Sequence, residues 1–336
     1  MTTSTQPPDE TTFDFRRADH GRGADESLLW RLRRPVVPAA KRAIRLFGTA
    51  TSSRRVLPDY LLIGAKRGGS TTLARSLITS PGVNSLFPQR ENLKGTYFFD
   101  VNYGKGEAWY RSHFPTHRAR GENIVGDASP YYLSHPHAAR RARQVVPEAR
   151  IICVLRDPVD RAFSHYRERR KQGIETLPTF EAALEAEPER TKGEVERMLN
   201  DPTYVSWNHL NFAYVDQSRY GSSMQRWFEH WPRQQLLVLR SEDMYGDPAA
   251  VLAQTRKFLG LTQADTPAQD DLHHNRLPSA NVAPITRDRL WQEFAPDVGR
   301  LAALLDEPTW WYSAPPEIGE QPTSTTMRNA TATSTI

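Results

Sequence analysis

A single cysteine, Cys153, stands in a chain of 336 residues. One thiol builds neither a disulfide framework nor a thiolate metal site. Its place in the apolar run Ile151-Ile152-Cys153-Val154-Leu155 marks it as a buried structural residue and not a nucleophile. Long hydrophobic runs are also missing. Nothing approaches the roughly 20 apolar residues of a membrane-spanning helix, and no signal peptide is visible, so the reading is a cytoplasmic protein in a reducing compartment. Residues 1–27 and 313–336 lack apolar periodicity and are rich in Thr, Ser, Pro and charge, the composition of disordered tails. His273-His274 has no third ligand at a suitable spacing, and adjacent histidines rarely converge on one ion, so no metal is expected.

With 38% hydrophobic and 25% charged residues, the chain has the material for one α/β domain, placed at 56–312. Forty-four Lys and Arg against 39 Asp and Glu leave a net charge of +5, which suits an anionic ligand such as a phosphorylated nucleotide or an acidic glycan. Nucleic acid would exploit the same bias, so the charge alone does not discriminate. Ahead of the domain, 28–55 is basic, with the amphipathic runs Leu28 to Arg34 and Lys41 to Phe47. Residues 28–47 read either as a helix folded back on the domain or as a peripheral membrane contact.

Tyr60 to Leu73, YLLIGAKRGGSTTL, reads as a buried strand, a glycine turn and the first turn of a helix. That is the architecture of a phosphate cradle. Gly68 and Gly69 let backbone N–H groups approach an anion, and Ser70, Thr71 and Thr72 add hydroxyls at a helix N-terminus whose dipole favours negative charge. Gly64 and Gly69 have Walker A spacing, yet Ser70 occupies the position of the lysine that reaches the β- and γ-phosphates. The cations are Lys66 and Arg67, read as lying at the rim. This loop fits a nucleotide without a γ-phosphate.

A second strand, Arg150 to Leu155, leads into Arg156-Asp157-Pro158. Asp157 is a good N-cap and Pro158 a good first helical residue. Val159, Ala162, Phe163 and Tyr166 then form one inward stripe, and Arg156 is left at the carboxyl end of a strand, where α/β sheets bind ligands. Further strands at Asn123 to Gly126 and Gln235 to Arg240 alternate with helices at Ala138 to Val146, Arg219 onward and Asp247 to Leu259. The pattern predicts a three-layer α/β fold, P-loop-like, with a central parallel sheet flanked by helices.

The two segments together resemble the sulfotransferases that use 3′-phosphoadenosine 5′-phosphosulfate (PAPS), in the branch of the heparan sulfate and bacterial carbohydrate enzymes. The resemblance continues through Tyr97 to Asp100, Gly126 to Pro136, Ser218 to Tyr220 and Gln235 to Leu261. It implies that Lys66, Arg67, Gly68, Gly69, Ser70, Thr71 and Thr72 hold the 5′-phosphosulfate. Arg156 and Ser164 would hold the 3′-phosphate, with Tyr220 and Arg276 also near the donor. The implied activity is sulfuryl transfer to a hydroxyl or amine of a carbohydrate or glycosylated metabolite, without metal or nucleic acid.

One departure touches the chemistry. The heparan sulfate branch carries its general base in a Lys-Glu-x-x-Phe-Phe pattern, whereas this chain reads Lys94-Gly95-Thr96-Tyr97-Phe98-Phe99. Asp127, in Gly126-Asp127-Ala128-Ser129-Pro130, becomes the first candidate base, expected at the cleft mouth, with its alternative role that of orienting the turn. Glu91, Lys94 and His113 stand behind it. A P-loop small-molecule kinase and a noncatalytic nucleotide- or glycan-binding relative are the rival readings.

Elsewhere, 81–90 reads as loop and Thr96 to Asp100 as a short strand. Asn102 to Pro115 is either a glycine-hinged aromatic flap or simple packing. Thr179 to Asn200 is a charged helical insertion, and Pro296 is expected to kink or divide the last helix.

Overall fold

The computed structural model describes residues 42–88, 95–261 and 282–311. Five strands form one all-parallel sheet: β1 (Tyr60–Gly64), β2 (Val83–Asn84), β3 (Ile124–Ala128), β4 (Arg150–Leu155) and β5 (Leu236–Arg240), in the order β2-β3-β1-β4-β5. Every residue of β1 is buried, as are the last five of β4. Strands covered on both faces are apolar throughout instead of alternating, which is how Leu61-Leu62-Ile63 and Ile151 to Leu155 could be read from sequence.

Helices cover both faces. Those that matter to the site are α1 (Ser70–Ile78), α2 (Ala138–Val145), α3 (Pro158–Lys171), α4 (Phe180–Thr191), α5 (Trp207–Phe212), α6 (Tyr220–His230), α7 (Pro248–Phe258) and α8 (Pro284–Leu305). One core layer sets Leu61, Ile63, Ile151, Cys153 and Leu155 against α2 and α6, through Ala142, Met224 and Trp227. On the opposite face, Leu62, Ile152 and Val154 meet α1 and α7 through Leu73, Leu77, Val251 and Leu252. Cys153 is buried, and burial pushes its thiol well up, so it packs and does not react.

The chain runs from β3 across β1 to β4, so strand order reverses at the β1/β4 pair. In open parallel sheets the crevice outside the strand ends at such a reversal is the ligand site. Here the loops after β1 and β4 face each other, tied where Ala65 N donates to Val154 O at 2.7 Å.

Three local expectations are corrected, and one open alternative is decided. Val83-Asn84 is a short edge strand inside the stretch read as loop. Residues 96–100 form coil and a turn, not a strand, because Thr96 N donates to the Asp127 side chain instead of a ladder carbonyl. The aromatic segment is packed core: Phe114 and Tyr110 are fully buried, and Tyr110 stacks on Phe98 with ring centroids 4.3 Å apart. Helix α8 runs unbroken through Pro296, and its Asp297 carboxylate accepts the Gly221 and Ser222 amides at the start of α6, at 2.7 and 2.9 Å. That anchor ties α8 to α6 directly after the proline.

Candidate active site

The cradle forms as the glycines require. Gly69 is the N-cap of α1 with φ +101°, a left-handed conformation that only glycine adopts without strain. A Cβ at Gly68 would stand 2.5 Å from Val154 O, so the loop can lie against β4 only because that residue has no side chain. Thr72 N bonds back to Gly69 O at 2.9 Å, which starts α1 and leaves the preceding turn at a helix N-terminus. Ser70 is 5% exposed, and Thr71 and Thr72 are half-buried beside it.

Helix α3 supplies the other half. Asp157 caps it by accepting Asp160 N at 2.8 Å, with Pro158 at its first turn, as the sequence predicts. Arg67 spans the two halves: Nε donates to Ser164 Oγ at 3.1 Å and Nη1 to Glu168 Oε1 at 3.1 Å. Arg156 lies toward the start of the helix, its Nη2 3.5 Å from Asp160 Oδ2. Arg287 of α8 pairs with the same Asp160 and, at 3.5 Å, with Asp157. The sequence reading had not singled out Arg287.

Lys66 is not the rim cation expected. Its side chain turns inward, and Nζ donates to Leu210 O of α5 at 2.9 Å. Burial, and then the charges of Arg169, Arg161 and Arg67, hold its ammonium well below the usual range. His165 is depressed for the same reasons, burial first and then Lys66, Arg169, Arg161 and Arg67. Arg67 and Arg169 both contact the Glu168 carboxylate, at 3.1 and 3.8 Å, with Lys66 and Arg161 close enough to act on the same groups.

Buried polar atoms beside this cluster without a hydrogen-bond partner among the described residues include Arg161 Nη1, His165 Nδ1, Tyr220 Oη and Ser241 Oγ. Ser241 Oγ is 3.4 Å from where a Gly69 Cβ would be, which places it against the cradle. Buried polar atoms are rarely left unpaired in a finished structure. Together with the glycine cradle, they fit an anionic, hydrogen-bonding ligand across α1, α3 and α6.

The candidate bases fare differently. Asp127 does not lie at the cleft mouth. It is 0% exposed, and its carboxylate accepts from Thr96 N, Thr96 Oγ1, Ser129 Oγ, Tyr132 Oη and Tyr110 Oη at 2.7–3.1 Å. Burial raises its pKa, against the lowering effect of those donors. This is a pin joining residue 96 to β3, the role of orienting the turn that was its alternative reading. His113 is buried against Trp109 O at 2.9 Å, and burial, reinforced by Arg45, pushes it down to about 3. Glu91, Lys94 and Arg276 lie outside the described residues, as do the segment 28–41, His273-His274 and both tails.

Gly95 explains the missing glutamate. A Cβ there would be 2.2 Å from Ala128 O and 2.5 Å from Ser129 Oγ, closer than any side chain tolerates. The backbone at 95 lies against the end of β3, and no larger residue fits without a shift. The sequence reading also missed Arg161, Glu168 and Arg169. Their spacing about Ser164 and His165 was the available signal, since residues three and four apart share a helix face.

The chain matches the sulfotransferase domain family over residues 57–292. It is 30% identical over 232 residues to human heparan sulfate glucosamine 3-O-sulfotransferase 3B1, covering 69% of this chain and 53% of that protein. It is 29% identical over 209 residues to human bifunctional heparan sulfate N-deacetylase/N-sulfotransferase 2, covering 61% of this chain and 22% of that one. The chain thus spans about half the length of the first relative and under a quarter of the second. A crystal structure of a sulfotransferase from Alicyclobacillus acidocaldarius is similar at a TM-score of 0.58 and 28% identity, covering 75% of this chain and 97% of that one. The paired strand-end loops and the cationic cleft sit within the matched span, and the chain belongs to the sulfotransferase domain family.

Proposed function

We propose that the protein transfers a sulfuryl group from PAPS to a hydroxyl or amine of a carbohydrate or glycosylated metabolite, releasing adenosine 3′,5′-bisphosphate. The observation that carries this reading is Arg67, which reaches from a glycine cradle lacking the Walker lysine to Ser164 and Glu168 of α3. Arg67 and the amides from Gly68 to Thr72 would hold the 5′-phosphosulfate. Arg156, Ser164 and, from α8, Arg287 would hold the 3′-phosphate, since all three gather about the first turns of α3.

Sulfuryl transfer leaves growing negative charge on the oxygen between sulfur and the 5′-phosphate. Fixed cations and amides stabilise that charge without reorganising during the reaction. The sugar acceptor is supported by the heparan sulfate names of the two human relatives, which are similar at 29% and 30% identity.

Calorimetry with adenosine 3′,5′-bisphosphate and ATP tests the donor. The bisphosphate should bind more tightly than ATP, and Arg67→Ala and Arg156→Ala should each weaken it by about 1.5–3 kcal/mol, the range for charge-assisted hydrogen bonds. Unchanged affinity in both variants, or preference for ATP, overturns the reading. Consumption of labelled PAPS with a panel of glycan, lipid-linked sugar and small hydroxylated acceptors then defines the acceptor.

A further inference from the structure

The cleft needs a group to take the acceptor's proton, and among the described residues the positions first suited to that task are excluded by geometry, Glu91 and Lys94 lying outside them. Gly95 has no space for a side chain, Asp127 is enclosed by five donors, and His113 is packed under Trp109. Glu175 and Glu187 are buried and committed to Arg190 and to the amides of Val215 and Asp216. Asp157 and Asp160 face Arg156 and Arg287 at the start of α3. Glu168 is different. Its side chain is 26% exposed, it stands one turn beyond Ser164, and its Oε1 touches the cation assigned to the phosphosulfate at 3.1 Å.

We propose that Glu168 is the general base of this enzyme, held by Arg67 until the sulfuryl donor binds and then released to take the acceptor's proton. The inference rests on the sulfotransferase reading above. While paired with Arg67, Glu168 Oε1 is engaged by the guanidinium at 3.1 Å and is not free to accept from an acceptor. A phosphosulfate arriving at the cradle competes for the same guanidinium with more charge and better geometry. Losing that partner frees Oε1 to accept the acceptor's proton.

The groups facing it are Arg67 from the cradle, Lys66 beneath it, Arg169 on its own helix and Tyr97 across the cleft. In the transfer step the acceptor O–H or N–H proton passes to the Glu168 carboxylate as the acceptor atom bonds to sulfur. The bond between sulfur and the 5′-phosphate oxygen breaks, and the bisphosphate leaves with the electron pair. The device couples access to the carboxylate to donor occupancy, so in the empty enzyme Arg67 holds the base.

The test compares Glu168→Gln and Glu168→Asp with wild type, after melting curves show that each variant is folded. Affinity for adenosine 3′,5′-bisphosphate is measured by calorimetry. Consumption of labelled PAPS is followed with water alone and with the acceptor panel, from pH 5 to 9. Glu168→Gln should bind the bisphosphate as tightly as wild type or up to about tenfold more tightly, because Arg67 no longer has a competing carboxylate. Its turnover should fall by about a hundredfold or more, with loss of the acidic limb of the pH–rate profile. Glu168→Asp should recover part of the rate and the limb.

Turnover of Glu168→Gln within about threefold of wild type overturns the proposal. So does a loss of bisphosphate affinity that matches the loss of rate, since Glu168 would then only position Arg67. Wild-type protein that binds the bisphosphate but consumes no PAPS with water or any acceptor refutes the transferase reading, and the base assignment falls with it. Failure of wild type to bind the bisphosphate refutes the donor itself.

Discussion

Replacing Asp127 by Asn separates a structural carboxylate from a catalytic one. Oδ1 accepts from Thr96 N and Ser129 Oγ at 2.9 and 2.8 Å, while Oδ2 accepts from Thr96 Oγ1, Tyr132 Oη and Tyr110 Oη at 2.7, 2.8 and 3.1 Å. The Thr96 amide cannot turn, so the asparagine oxygen must stay at Oδ1 and its NH₂ must face the three hydroxyls. Two of those already accept from Phe98 N, at 3.2 Å on Thr96 Oγ1 and 2.7 Å on Tyr132 Oη, which limits their rotation. Hydrogen bonds to a charged group contribute ~1.5–3 kcal/mol against ~0.5–1.5 for neutral pairs.

Weakening or losing three of them costs about 3 kcal/mol, offset in part because a neutral amide is cheaper to bury than a carboxylate. A net loss of about 2–3 kcal/mol lowers the melting temperature by roughly 4–12 °C in a domain of this size. Thermal melts followed by circular dichroism measure it, together with PAPS turnover at 20 °C, where the variant remains folded. Turnover should stay within about tenfold of wild type, because the proton acceptor is elsewhere. Wild-type melting combined with a hundredfold loss of turnover would refute the reasoning and make Asp127 the base.

Two further outcomes follow from the same geometry. Gly95→Ala should destabilise the fold by about 1–3 kcal/mol, the cost of overpacking, because its Cβ would meet Ala128 O at 2.2 Å; a melting temperature equal to wild type would show that the loop can move and that a side chain fits. Burial, ahead of every other cause, raises Asp157 to about 6, Glu187 to about 7 and Asp100 to about 8. Between the unfolded carboxylate values near 4 and these folded values each of the three groups binds more proton in the native chain than in the unfolded one, so their contribution to stability falls as pH rises. Asp100, whose Oδ2 has no partner among the described residues, extends that decline to about pH 8. Asp100→Asn should flatten urea-denaturation stability between pH 7 and 8, and an undiminished slope would show that Asp100 is not the titrating group.

The sequence determined the sheet and the two ends of the donor site. Uninterrupted apolar runs at Leu61 to Ile63 and Ile151 to Leu155 are buried parallel strands because both their faces are covered. Gly68-Gly69 followed by hydroxyls, and Asp157-Pro158 opening a helix, are local rules of backbone conformation and capping that need no distant partner. What a side chain meets across the fold is not written in its neighbours. Lys66 and Arg67 are adjacent in sequence, yet one turns under the cradle to Leu210 and the other crosses to Ser164 and Glu168, 97 and 101 residues away. Asp127 and Glu168 are both carboxylates near conspicuous motifs. Tertiary packing alone buries the first among five donors and leaves the second open beside the cation of the cleft, because burial and hydrogen-bond saturation are set by elements that meet only when the sheet and its helices assemble.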